Sequence, residues 1–338
     1  MVFLNSYRLI YSSRRLLANC VTHCFPNSCR AKSTSLSLAL FGWIRYRALW
    51  QGGAKMMIVV NESAAASYLY LMGLTIDEEL PLTQHLSLLP ATCKASPDDM
   101  INSVMKYGSG DETDLGVLIA ALRKTTAQLR VVGEGKELAV RVWNAQSAIV
   151  LLSALLNCEL YWHVQSDSRT EDFSPCSAIN VVLSTRLFIP RKLKVINDSE
   201  KQWIRQHYRD AWELFDKNTR FETAVNSLWS YKQSLRPSVQ MAIIWAGIES
   251  LFGVRSELVF RVSTLAALFL GGGKQKQQEI KKLYRARSEA VHEGKQPSES
   301  CVSDSAKLLQ ALILECVERG CLPNEDGLLF GFEEGSAK

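Results

Sequence analysis

Residues 237–252 decide the fold class of this chain: Pro237-Ser-Val-Gln-Met-Ala-Ile-Ile-Trp-Ala-Gly-Ile-Glu-Ser-Leu-Phe252. Proline suits the first turn of a helix, and the Gly253 that follows suits its end. From Val239 onward the stretch is apolar on nearly every side, which predicts a helix buried among other helices. Glu249 is the one charged residue in it, so its carboxylate needs a partner in the interior.

Helical patterns continue on both sides of this stretch, with glycines or polar caps at their ends. The predicted helices run from Asp198 or Ser199 through Phe215, then over about 220–234, Glu257–Leu270, Gln278–Glu293 and Ser300–Arg319. The sequence therefore predicts an all-α helical bundle over residues 198–322, followed by a tail at 323–338.

The region before the bundle, residues 57–197, has mixed character and is predicted to be an α+β domain whose role the sequence does not indicate. Alternating or β-branched runs predict strands at 128–132, 138–142, 160–164 and 179–189. Gly133-Glu-Gly-Lys136 between the first two is typical of a hairpin. Helices are predicted at 98–107, 114–123 and, capped by Asn144, through about Leu156, and residues 190–197 resemble a domain boundary.

The first 56 residues differ in composition from the rest of the chain. Eight of the 39 basic residues and none of the 34 acidic residues precede Glu62. A segment rich in Arg and Ser and free of acids resembles a mitochondrial transit peptide, and the alternative is that translation starts at Met56 or Met57. Under either interpretation we expect residues 1–56 to lie outside the fold, so that a chain starting at Met57 folds as well as the whole.

Charge and hydropathy exclude several classes of protein. The formal net charge of +5 belongs to the leader, since the remainder has more acidic than basic residues, so bulk charge gives no support for non-specific nucleic-acid binding. No run approaches the ~20 apolar residues that span a bilayer, which predicts no membrane partner. The nine cysteines have no zinc-site spacing and no signal peptide accompanies them, so a reducing, cytoplasmic location is expected.

One pair of residues in the helix predicted at 278–293 suggests chemistry. Arg287 lies on the apolar stripe of that helix, because Ile280, Tyr284 and Val291 recur at helical spacing with it. A guanidinium there needs an acidic partner, and Glu249 is the natural one. His292 lies about 140° further round, in the last turn. The alternatives are a purely structural Arg287–Glu249 ion pair and a histidine that only caps the helix end.

Three sequence blocks carry a resemblance to a known family. They are Trp245-Ala-Gly-Ile-Glu-Ser-Leu-Phe252, then Glu257-Leu-Val-Phe-Arg261 with Ala266-Ala-Leu-Phe-Leu-Gly271, then Tyr284-Arg-Ala-Arg-Ser-Glu-Ala-Val-His292. In this order and spacing they resemble the Apea-like branch of the HEPN superfamily, over about residues 220–319. The resemblance implies a dimeric helical bundle that acts as a metal-independent endoribonuclease, often a toxin or an anti-phage defence effector. Other members of the superfamily only bind.

The resemblance also implies roles for individual residues. The family's Arg-x4–6-His motif corresponds to Arg287 and His292 at a composite dimer site, or to Arg285 at the longer spacing, and the Tyr284 frame favours Arg287. His292 would transfer a proton, Arg287 would hold the phosphate, Ser288 would contact a phosphate oxygen or orient His292, and Glu249 would fix Arg287. The expected partners are RNA and a second copy of the chain, with no cofactor and no metal. The alternatives are a catalytically silent HEPN module that binds RNA, nucleotide or a protein, and a scaffold.

Overall fold

The computed structural model describes residues 43–48, 56–61, 64–107, 112–181, 188–254 and 258–330. The N-terminal part is built on a six-stranded antiparallel sheet with the order β5-β6-β7-β3-β8-β9, beside the two-stranded pairs β1-β2 and β4-β10. The strands are β1 Trp43–Ala48, β2 Met56–Asn61, β3 Ala66–Met72, β4 Leu74–Thr75, β5 Leu80–Thr83, β6 Leu86–Pro90, β7 Thr125–Val132, β8 Tyr161–Ser166, β9 Ile179–Val181 and β10 Lys194–Val195.

Three helices accompany this sheet: α1 Pro97–Tyr107, α2 Glu112–Lys124 and α3 Gly135–Leu155. The predicted strands at 128–132 and 160–164 and the predicted helices at 98–107 and 114–123 are confirmed. Of the strand predicted at 179–189, β9 supplies the first three residues, and residues 182–187 lie outside the described part.

The predicted strand at 138–142 is wrong, because these residues belong to α3. Leu138, Val142 and Ala145 are buried at helical spacing, so the alternation visible over five residues is part of a longer 3.6-residue period. The glycine-containing turn before them leads from β7 into the helix, with Gly135 at φ +47°, and is no hairpin. Asn144 consequently lies within the helix and does not cap it.

Strand β1 lies inside the segment that the sequence places outside the fold. It pairs antiparallel with β2 over six residues, from Trp43 opposite Asn61 to Ala48 opposite Met56. Both strands also contact α3. The segment before residue 57 therefore supplies one strand to the structure.

The C-terminal part is helical, as predicted. Its helices are α4 Asp198–Lys217, α5 Thr219–Ser230, α6 Pro237–Phe252, α7 Leu258–Phe269, α8 Lys274–His292, α9 Glu299–Arg319 and α10 Glu325–Phe330, with a 3₁₀ turn at Tyr231–Gln233. Asn197, one residue before the predicted caps, begins α4 through a capping box with Glu200. The predicted tail begins with α10, which an ion pair from Arg261 to Glu325 ties to α7.

The core runs through both parts without a break. Buried residues from β3 and β7 through α3 to α6 and α9 form one apolar cluster, in which Trp245 and Phe215 are fully buried. Helix α3 lies between the sheet and the bundle, and the Gln310 amide of α9 donates to its Leu155 carbonyl. The boundary near residue 197 therefore separates two kinds of secondary structure that share one core.

Helix α3 is also the one described helix that is long and apolar enough to cross a bilayer, with a mean hydropathy of 1.4 over 18 residues. Eleven of its residues are buried against the sheet and the bundle. Its apolar character is therefore accounted for by the core.

Candidate active site at the end of helix α8

Helix α8 is held against the bundle by an aromatic contact at its middle. Tyr284 packs edge-on against Trp245 of α6, with ring centroids 4.9 Å apart and planes at 75°. The Trp245 indole N–H in turn donates to the Ser305 hydroxyl of α9 at 3.3 Å. Three helices therefore fix the position of the candidate site.

The predicted Arg287–Glu249 pair is present. Arg287 Nη2 lies 3.4 Å from Glu249 Oε1, and the two side chains are 19% and 21% exposed. The Tyr284 hydroxyl donates to the same Oε1 at 3.2 Å. The Arg287 guanidinium also lies over the Tyr284 ring, 5.5 Å from its centroid. Arg287, Glu249 and Tyr284 form one triad between α6 and α8, hereafter the Arg287 triad.

The triad leaves part of the arginine uncommitted. The Nε–H of Arg287 is buried and has no hydrogen-bond partner among the described residues. Burial raises the pKa of Tyr284, and the negative charge of Glu249 raises it further. Tyr284 therefore stays a neutral hydrogen-bond donor around neutral pH, while the Nε–H of Arg287 is a donor for which the described residues supply no acceptor.

His292 and Arg287 do not meet within one chain. His292 is exposed in the last turn of α8, before Gly294 at φ +69°. Five helical positions separate it from Arg287 by ~7.5 Å along the axis and ~140° around it. Arg285 is exposed on the side of His292, and Ser288 is half-buried. The structure thus brings Glu249, Tyr284 and Arg287 together and leaves His292 and Arg285 facing solvent.

The sequence does not indicate the role of one further residue, Arg220. Arg220 of α5 donates through Nε to the Ser250 carbonyl at 2.9 Å and through Nη2 to the Leu251 carbonyl. Burial lowers the pKa of its guanidinium. These carbonyls are left unpaired where α6 ends at Gly253, so Arg220 closes the helix end that carries Glu249. Gly253 predicts that the last carbonyls of α6 lack partners within the helix, but it does not indicate which side chain donates to them.

Within the described parts of the chain, no three His, Cys, Asp or Glu side chains lie close enough together to hold a metal ion. The chain matches no protein-family model, no curated protein and no solved structure.

Proposed function

We propose that this protein is a metal-independent endoribonuclease of HEPN type whose active site is completed by a second copy of the chain. The observation that carries the proposal is the Arg287 triad: a half-buried guanidinium, oriented by Glu249 and Tyr284, with its Nε–H unpaired. A planar guanidinium suits a phosphate, because it can donate to two phosphate oxygens at once. The resemblance in the three sequence blocks supplies the reaction class.

The chemistry requires only groups of the RNA and of this chain. The 2′-oxygen attacks the adjacent phosphorus, the bond from phosphorus to the 5′-oxygen breaks, and a 2′,3′-cyclic phosphate and a 5′-hydroxyl form. His292 transfers the proton that leaves the 2′-hydroxyl or the one that reaches the 5′-oxygen. Arg287 stabilises the charge that builds on the phosphate oxygens. DNA lacks the nucleophile and is not a substrate.

In the proposed dimer, Arg287 and His292 meet across the interface between the two copies. A two-fold axis near the C-terminal end of α8 places His292 of one copy near Arg287 of the other. Val291, next to His292, is an apolar side chain that is 42% exposed and that such an interface would cover. Light scattering at tens of micromolar protein should report a dimer (roughly where a stable interface is saturated). Val291→Asp should yield monomers that lose activity although His292 is retained.

Cleavage of labelled RNA in EDTA tests the reaction. His292→Ala and Arg287→Ala should each abolish most cleavage, and the double variant should lose little more, because residues that act as one unit are not additive. Arg287→Lys should not restore activity, since an ammonium does not bind two oxygens in one plane. A 2′-deoxy nucleotide at the cut site should block cleavage. Lys276→Ala, about 16 Å before Arg287 along α8 and paired with Glu279, is the matched control.

The second candidate is a silent module that binds RNA, nucleotide or protein. It is favoured by one observation, that Arg287 already has an acidic partner within its own chain. A requirement for a divalent metal, or cleavage that survives His292→Ala, would contradict the proposed ribonuclease mechanism. Binding of RNA without any cleavage would leave the silent module as the better description.

A further inference from the structure

Helix α8 carries a stripe of polar and cationic side chains that ends at His292. Positions spaced by four, three, four, three and four residues fall within ~40° of one line along a helix. They are Lys274, Gln278, Lys281, Arg285, Ser288 and His292. The stripe contains no acidic residue, is about 27 Å long at 1.5 Å per residue, and is centred about 140° around the helix from Arg287.

The charge of the stripe's cations is not balanced by ion pairs in the described part of the chain. Among the described residues, no carboxylate lies within ion-pair distance of Lys274, Lys281 or Arg285, whereas Lys276 pairs with Glu279 at 3.6 Å. The acids closest to His292 along the chain, Glu289 and Glu293, are both engaged by Lys295, at 3.4 and 3.0 Å. The positive charge on the stripe is therefore left for an external anion.

An exposed aromatic side chain of α7 lies at the same level along the helix axis as part of the stripe. Helices α7 and α8 are joined by the short turn at 270–273, and the Gln277 amide donates to the Thr264 hydroxyl at 2.6 Å. Antiparallel register from that bond places Phe260, one turn before Thr264, at the level of Lys281. Phe260 is 58% exposed. An aromatic face beside a row of cations is the pattern on which single-stranded nucleic acid stacks and tracks.

From this arrangement we infer that the α8 stripe and Phe260 form a binding track for single-stranded RNA. The track runs from Lys274 to His292, with the phosphates along Lys281 and Arg285 and one base on Phe260. The inference rests on the proposed function for the position of the cut, which lies at the His292 end of the track. A track of about 27 Å corresponds to about eight stacked nucleotides at ~3.4 Å per phosphate.

The test measures binding without cleavage, using the full chain with His292→Ala and fluorescence-labelled single-stranded RNA of 4, 8 and 16 nucleotides. The track variant carries K274Q, K281Q and R285Q. The control variant carries K217Q, K276Q and K307Q, three exposed cations that each pair with an acid of their own helix. Both sets remove the same charge, so a difference between them reports position and not net charge.

The track variant should bind the 16-nucleotide RNA at least about tenfold more weakly. The slope of log K against log salt should become less steep by about 2, because each of the three lost phosphate contacts contributes ~0.7 to it. The control set should stay within about twofold. Phe260→Ala should weaken binding about fivefold or more without changing the salt slope. Affinity should rise from 4 to 8 nucleotides and little beyond.

The proposed track is wrong if the track and control variants lose RNA affinity equally. It is also wrong if the chain binds an acidic polypeptide as tightly as RNA and with the same salt slope. The outcome is separable from that of the proposed function. If the unmodified chain cleaves RNA in EDTA while the track variant keeps its affinity, only the track is wrong. If the track variant loses affinity but the unmodified chain never cleaves, the track stands and the catalytic proposal fails.

Discussion

Arg287 has a packing role in the structure besides the chemical role that we propose for it. It packs over Tyr284 and faces Glu249, and all three are largely shielded from solvent. We expect Arg287→Ala to lower the free energy of unfolding by about 1–2 kcal/mol, because it leaves the Glu249 carboxylate with only the Tyr284 hydroxyl as partner. Denaturant unfolding at fixed protein concentration measures this.

The matched comparison is the double variant Arg287→Met with Glu249→Gln. Removing both charges leaves no unpaired ion, so its cost should be smaller than the sum of the two single costs. A loss below about 0.5 kcal/mol for Arg287→Ala would show that the pair contributes nothing to folding. A large loss without any RNA cleavage to abolish would support the purely structural interpretation.

At the scale of the element, α6 ends at a glycine against which the Arg220 side chain of α5 packs. Gly253 has φ +65°, and a Cβ there would lie 3.0 Å from Arg220 Cζ. Gly320 ends α9 with φ +67° and open space around it. Gly320→Ala should cost about 1 kcal/mol for backbone strain alone. Gly253→Ala should cost more, because it also displaces Arg220 from the Ser250 and Leu251 carbonyls.

Thermal or denaturant unfolding of the two alanine variants tests this comparison. Because the backbone strain is the same, the difference between them isolates the contribution of Arg220. Equal losses would show that Arg220 shifts aside at no cost and does not hold the helix end.

The strand pair β1-β2 gives a second prediction at this scale. Deletion of residues 1–56 removes β1, leaves β2 without its strand partner among the described residues and takes away contacts to α3. We expect a chain starting at Met57 to melt several degrees lower than the full chain, the shift that ~1 kcal/mol produces. A chain starting at Phe41, which keeps β1, is the control. Identical melting of the Met57 chain would instead support the sequence-based expectation that the leader is dispensable.

At the scale of the whole molecule, buried tyrosines set the response to alkaline pH. Burial raises the pKa of Tyr70, Tyr161, Tyr208 and Tyr231 above the usual 10.0. The folded state therefore holds protons that the unfolded state releases, so the tyrosines' contribution to stability is complete below about pH 10 and is lost as pH rises beyond it. The slope should reach up to ~1.4 kcal/mol per pH unit for each such group.

Denaturant unfolding between pH 8 and 11 (roughly the range where free tyrosine titrates), with tyrosinate absorbance as the readout, checks this. Two buried thiols act in the same direction, since burial raises the pKa of Cys158 to about 11 and that of Cys316 to about 12. Lys232 opposes them, because burial lowers its pKa. Tyr208→Phe should flatten the slope. A stability that stays constant to pH 11 would show that these hydroxyls ionise without unfolding.

Local sequence determined most of the elements and part of the site. The apolar run at 237–252 with its proline and glycine predicts α6 to the residue, because periodicity and end signals are local. The inward phase of Arg287 and the lone charge of Glu249 in an apolar helix predict their pairing, because each buried charge needs a partner of opposite sign. The same local information gives a wrong prediction at 138–142, because five residues fit both the two-residue period of a strand and the 3.6-residue period of a helix.

Tertiary structure decided what depends on residues distant in the chain. The pairing of β1 with β2, the shared core along α3 and the closure of α6 by Arg220 each join segments whose patterns are independent of one another. The Tyr284 hydroxyl bond to Glu249 and the orphaned Nε–H of Arg287 follow from how α6 and α8 pack. Helical phase alone predicts Arg287 inward and His292 outward, and the packing of α8 against α6 keeps the two side chains apart within one chain.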